Sequence, residues 1–163
     1  MARVFSHPSS SLYPATLHAV SPYCIETPHR AHLPQCLGRS LQTARDRHDG
    51  GIPVSLFIEP DLDQIKAAHK ISVDYVELHT GRYANARLLK EEQSALESIA
   101  QAAKLAYKLG IGVSAGHGLT YRNVKRLTQI SEIVEYNIGH SIISRAVFVG
   151  MDQAVREMKL LLN

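Results

Sequence analysis

The chain has 163 residues, of which 45% are hydrophobic and 20% charged, enough for one core and too few for two comfortable domains. Its formal net charge is only +3, with acids and bases interspersed; that argues against nucleic-acid partners, and no nucleic-acid-binding motif is present. No apolar run approaches ~18 residues, so no helix is expected to span a membrane, the N-terminus lacks the apolar core of a secretory signal, and the two cysteines, Cys24 and Cys36, fit a reducing, cytoplasmic setting better than a disulfide scaffold.

Residues 1–50 differ from the rest. They hold five of the seven prolines and five of the nine histidines, and none of the seven lysines. Neither a period of 2 nor one of 3.6 persists there, so this leader is expected to be irregular. Cys24, His29, His32 and Cys36 are zinc-ligand types within a short span, but their spacing matches no zinc module. Chance placement is the better account, and no metal is expected. The acid-free first twenty-five residues faintly resemble a transit peptide.

From Gly51 onward the pattern is regular. "PVSLFIEP" reads as a buried strand, and "DLDQIKAAHK" as a helix opened by a capping box of Asp61 and Gln64. "DYVELHTG" is a second strand. A long helix follows from about Leu88 to Leu109, with Leu89, Leu96, Ile99, Ala103 and Ala106 at helical spacing and Gly110 as its stop. "IGVSAG" and "IVEYNIG" are further strands, separated by a helix that Thr120 opens. A final helix carries Ala154, Val155, Met158, Leu161 and Leu162 on one stripe. The order βαβαβαβα demands a parallel sheet with helical crossovers.

Chemistry in such folds gathers where strands feed helices, and three of these strands end in polar residues. In the second, alternation puts Tyr75, Glu77 and His79 on one face and Val76 and Leu78 on the other. If that face is the interior, Glu77 is a buried carboxylate needing a partner or a raised pKa; otherwise it is a strand-end glutamate paired in solvent. The third ends "AGHG". The glycines beside His117 leave the imidazole uncrowded, and histidine suits proton transfer near neutral pH; alone, GHG fits a plain turn as well. The fourth ends at Gly139 and His140 before a stretch with helical character, where unbonded amides could hold a phosphate.

Together, "VSLFIEPD", "VELHTGRYANA", "GVSAGHGLTYRNV" and "EYNIGHSIISRAVFVGMDQAV" resemble successive parts of the pyridoxine 5′-phosphate synthase family. The resemblance runs from about Gly51 to the C-terminus. It implies a (β/α)8 TIM barrel, an α/β fold of which residues 51–163 supply about the last four βα units. It also implies a homo-oligomer acting on small phosphorylated substrates, without metal or organic cofactor. The reaction would be condensation of 1-deoxy-D-xylulose 5-phosphate with 3-amino-2-oxopropyl phosphate in vitamin B6 biosynthesis. By motif, Glu77 matches the family's transition-state stabiliser and His117 its proton donor. Gly118, Gly139 and His140 match positions that hold the amino-oxopropyl phosphate.

The resemblance also implies what to look for upstream. Four further βα units would precede "VSLFIEPD", and residues 1–50 resemble none of them. An out-of-frame, mis-started or rearranged segment is the corresponding expectation. The alternative reading is a catalytically incomplete, truncated half-barrel that only binds phosphate or a partner subunit. An isomerase or aldolase of the same architecture is a third, though no barrel-strand lysine suits a Schiff base. With half a barrel, the first and last strands should have bare edges, and the chain should associate through them or pack loosely.

Overall fold

All four strands expected from periodicity form, and each is followed by a helix. The computed structural model describes residues 53–162 and two short strands at residues 2–5 and 17–19. In chain order the elements are β1 (Ala2–Phe5), β2 (Leu17–Ala19), β3 (Val54–Ile58), α1 (Leu62–Lys70), β4 (Tyr75–His79), α2 (Gly81–Ala84), α3 (Leu89–Lys108), β5 (Gly112–Gly116), α4 (Val124–Leu127), β6 (Ile133–Ile138), α5 (His140–Val149) and α6 (Met151–Leu162). Strands β3 to β6 run parallel in sequence order, as short strands joined through helices must. This is half of a barrel-like α/β sheet.

Local chemistry sets the helix ends. Asp61 Oδ1 accepts from the Asp63 and Gln64 amides at 2.9 and 3.1 Å, which caps α1. Gln64 Oε1 in turn accepts from the Glu59 amide at 3.2 Å. Leu88 has no side-chain acceptor to offer α3, so Glu91 Oε2 reaches back to the Arg87 and Leu88 amides at 3.3 and 3.4 Å. Gly110, at φ +76°, ends that helix in the left-handed region. Two expectations need correction. Leu89 is 81% exposed, because the buried stripe of α3 begins further along, at Ile99. Thr120 opens a turn rather than a helix: its carbonyl accepts from the Asn123 and Val124 amides, and α4 itself is a single turn.

The core lies between the sheet and the helices that cover one of its faces. Val76, Leu78, Val113, Ala115, Tyr136 and Ile138 point to the helices and are buried. They meet Ile65 of α1, the small residues Ala102, Ala103 and Ala106 of α3, and Ala154, Met158 and Leu162 of α6. The small residues let α3 approach closely. The opposite face has a different composition. Alternation gives it Ser55 and Phe57, Tyr75, Glu77 and His79, Ser114, and Glu135 and Asn137, with Gly112 and Gly116 interspersed. Four of these polar residues, Ser55, Glu77, Ser114 and Asn137, are buried. A buried polar face is expensive unless bonded or used, and this face carries the candidate site.

The expected bare edges are covered. Strand β2 pairs parallel to β3, with Leu17 opposite Val54 and Ala19 opposite Leu56. Strand β1 pairs antiparallel to β6, with Ala2 opposite Ile138 and Phe5 opposite Glu135. The six-stranded order is β1-β6-β5-β4-β3-β2. An edge accepts any extended segment that can supply amides and carbonyls, so this pairing needs no hydrophobic periodicity, and the leader shows none. Association through those two edges therefore loses its basis. Cys24, His29, His32 and Cys36 lie outside the described residues. Among the described residues no cluster of three or more possible metal ligands occurs, and no helix is long and apolar enough to cross a membrane.

Candidate active site

The C-terminal ends of β4, β5 and β6 lie side by side, and their register decides which side chains meet. Across the sheet, His79 is level with Gly116 and Gly116 with Asn137. One position earlier, Glu77 is level with Ser114, and Ser114 with Glu135. Gly116 has no side chain, so a gap opens between His79 and Asn137. The carboxyl end of Glu77 occupies it: a Cβ added at Gly116 would run into Glu77 Oε1 and come within 3.0 Å of Asn137 Cβ and 3.2 Å of the Asn137 carbonyl. Glu77 is 3% exposed, so of its two sequence readings the interior one holds. Gly116→Ala is accordingly expected to cost on the order of 1 kcal/mol of stability and to displace the Glu77 carboxyl. Urea unfolding combined with side-chain carboxyl NMR would check both effects; an unchanged Glu77 signal would count against this geometry.

His117 follows β5 and is exposed. Its φ is +78°, a backbone state that most side chains avoid. Thr80, fully buried at the end of β4, holds it there. The Thr80 amide donates to the Gly116 carbonyl at 2.8 Å. The Thr80 hydroxyl lies 2.8 Å from that carbonyl and 2.6 Å from the His117 carbonyl, sharing one proton between them. The loop beyond is tied as firmly. Asn123 Oδ1 accepts from the Thr120 amide at 2.7 Å, and Asn123 Nδ2 donates to the Gly118 carbonyl at 3.2 Å. Tyr83 of α2 donates its hydroxyl to the Asn123 carbonyl at 2.6 Å. Burial, followed by the nearby Glu92 carboxylate, raises the Tyr83 pKa, so this phenol keeps its proton. The single segment from Thr80 to Tyr83 thus fixes both sides of the histidine turn.

The imidazole also has a neighbour. The rings of His79 and His117 lie 4.6 Å apart between centroids, tilted by 43°, and Phe57 meets His79 edge-on at 5.2 Å. Glycine at 81 makes room for this pair, since a Cβ there would stand 2.6 Å from His79 Cε1 and 3.3 Å from His117 Cδ2. His79 Nδ1 is 2.8 Å from Glu59 Oε1. That is close enough for an ion pair when the ring is protonated, although the geometry is off the line of an N–H···O bond.

A cavity of about 620 Å3 opens beside this turn. Residues 117–120 form one wall, Asn137 and Ile138 another, and Gly139, His140, Ser141 and Ser144 the third. The last group begins α5, whose cap Gly139 contributes no side-chain hydrogen bond and whose first turn carries no acid. First-turn amides have no acceptor within a helix, and their positive end suits an anion. The structure thus brings His117, Gly118, Gly139 and His140 around one cavity, with Glu77 reaching over the adjacent strand. Sequence reasoning placed His79 on the Glu77 face without a role, and missed Thr80, Tyr83, Asn123 and Asn137. For Asn137 a signal existed, because alternation along β6 puts it on the polar face with Glu135. For Thr80, Tyr83 and Asn123 no periodic signal exists.

Comparison with known proteins settles the lineage. The family model described as "Pyridoxal phosphate biosynthesis protein PdxJ" matches residues 36–163. The chain belongs to the PdxJ family. The match begins ahead of Gly51, so residues 36–50 of the segment expected to be foreign fall within the family's span. Curated relatives named pyridoxine 5′-phosphate synthase include that of Geobacter sulfurreducens, 60% identical over 110 residues, or 68% of this chain and 46% of the relative. That of Geotalea uraniireducens is 60% identical over 120 residues, or 73% and 50%, and that of Syntrophobacter fumaroxidans 53% identical over 126 residues, or 77% and 53%. This PdxJ chain spans about half the length of the curated relatives it matches. Among solved structures, a mandelate oxidase aligns with a TM-score of 0.52 at 16% identity, covering 76% of this chain and 36% of that one. That likeness concerns the fold alone.

Proposed function

We propose that the chain carries the ring-closing chemistry of pyridoxine 5′-phosphate synthesis, condensing 1-deoxy-D-xylulose 5-phosphate with 3-amino-2-oxopropyl phosphate. The observation that supports it most is convergence. In a PdxJ chain, His117 and the first turn of α5 share one cavity, and the Glu77 carboxyl lies over the strand between them. The amide-rich start of α5, with Gly139 and His140, takes a substrate phosphate; Gly118 lets the ligand approach the backbone beside it. When the substrate amine adds to the ketone, the resulting hydroxyl must leave as water, and His117 donates the proton that makes it a leaving group. The imine nitrogen becomes positive as water departs, and the Glu77 carboxylate stabilises that charge from a site where little water competes. Holding the phosphate ends fixes the reacting carbons relative to both groups.

Two finer readings join this one. Assembly as a homo-oligomer is supported by the exposed apolar row Ile143, Val147 and Phe148 on α5. A cytoplasmic location is the setting that suits a chain acting on soluble phosphate esters.

Incubating the purified full chain with both substrates tests the proposal, by following pyridoxine 5′-phosphate optically and inorganic phosphate by 31P NMR. The expected result is product and phosphate released in equal amounts. Phosphate binding without product would overturn the catalytic reading and leave a phosphate-binding half-barrel.

A further inference from the structure

Two asparagines stand by the cavity, and they differ in one respect. Both side-chain ends of Asn123 are used, one accepting from Thr120 and the other donating to Gly118; its role is to hold the loop. Asn137 is 2% exposed, yet its Nδ2 has no hydrogen-bond partner among the described residues. A buried amide donor left without an acceptor is unfavourable, and folded proteins rarely tolerate one. An apolar residue of similar size would avoid the penalty. Asn137 also lines the cavity, in a strand that leads straight into α5. Its neighbour on β5 is Gly116, so no side chain from that strand stands against it, and the Glu77 carboxyl also lies over that glycine.

We propose that Asn137 is a ligand-binding residue, donating Nδ2–H to a carbonyl or hydroxyl oxygen of a phosphate ester whose phosphate rests on the first turn of α5. The inference rests on the reading of that turn as the anion site. Asn137 precedes Gly139 by two residues, about 7 Å of strand, so the oxygen it meets belongs to the carbon skeleton and not to the phosphate. The skeleton then runs from α5 toward Glu77 and His117, which places its functional carbons within reach of both. Asn137 thereby discriminates a keto or hydroxy phosphate ester from inorganic phosphate, which fills the α5 end alone.

The test is an NMR titration of the isotope-labelled full chain with inorganic phosphate and with dihydroxyacetone phosphate, a keto phosphate ester. In the wild-type chain both probes should move Gly139 and His140, and only dihydroxyacetone phosphate should move the side-chain amide pair of Asn137. Asn137→Ala should leave phosphate affinity within about twofold and weaken dihydroxyacetone phosphate about tenfold, the worth of one hydrogen bond. Equal affinity of Asn137→Ala and wild type for the ester, or an unmoved Asn137 amide pair, overturns the proposal while leaving the anion site standing. Absence of any phosphate response at Gly139 and His140 in the wild type removes the anion site, and the proposal with it. If the variant fails to fold, the wild-type amide signal decides.

Discussion

His117→Gly and His117→Ala should lose turnover alike and differ in stability. Both remove the imidazole, so the proposed proton transfer to the departing hydroxyl falls to solvent, and turnover should drop about 10²–10⁴-fold. Their backbones behave differently. Position 117 sits at φ +78°, where a Cβ costs roughly 1–2 kcal/mol in the left-handed region. Glycine escapes that cost but gives up about 0.5–1 kcal/mol to the entropy of the unfolded chain. The glycine variant should therefore be the more stable of the two by about 1 kcal/mol, measured as a difference in urea midpoints at equal slope. A glycine variant less stable than the alanine variant would show that the turn is unstrained. Near-normal turnover in either variant would show that His117 is not the donor. The two readouts are independent, so a failure of one identifies which half of the account is wrong.

The same residue shows how far the sequence reveals this site. His117 stands out because glycines on both sides are poor strand and helix formers, and a residue kept at such a place invites a reason. The structure adds the strained φ, which no sequence pattern carries. Periodicity revealed β3 to β6 and the buried stripe of α6, because burying one face imposes a repeat of 2 or 3.6 on the residues that face it. It failed where burial is not the organising force. The pairing of β1 and β2 rests on backbone hydrogen bonds, which any side chains permit, so a proline-punctuated leader gave no hint of it. Thr120 marks a helix start in the sequence, but Asn123 spends its side chain on Gly118 and Thr120, which delays α4 until Val124.

Within the site, residues with their own chemistry were legible and those that support them were not. Glu77 could be placed by alternation, since the hydrophobic neighbours Val76 and Leu78 mark the other face. Asn137 obeys the same alternation between Tyr136 and Ile138, but an asparagine on a strand advertises no reaction, and only its unused Nδ2 distinguishes it from Asn123. Alternation puts His79 on the same face as Glu77; its contact with His117 depends on the absence of a side chain at Gly81, a relation between three residues that no single position signals.

Thr80 gives the second large expected effect, because three separate interactions on the His117 turn come from this one buried residue. The hydrogen bond that its backbone N–H donates to the Gly116 carbonyl survives any substitution other than proline. The hydroxyl is different: it is the donor that stands 2.6 Å from the His117 carbonyl. Thr80→Val keeps the shape of the side chain and deletes that donor, leaving a part-buried carbonyl short of a partner, at about 1–2 kcal/mol of stability. The backbone of His117 is then free to leave φ +78°, and the imidazole loses its fixed position against His79. Turnover should fall about 10–100-fold, mainly in kcat, because a group misplaced by an ångström still allows substrate to bind. Thr80→Ser keeps the hydroxyl and should recover most of the loss. Stability alone would not separate a positioning role from an ordinary buried contact, so the deciding measurement is the His117 ring signal in 1H–13C spectra. It should shift and broaden in Thr80→Val and stay near the wild-type position in Thr80→Ser. A sharp, unmoved His117 signal in Thr80→Val, even with a lowered urea midpoint, would mean that the turn is held by Asn123 and Tyr83 and that Thr80 serves stability only.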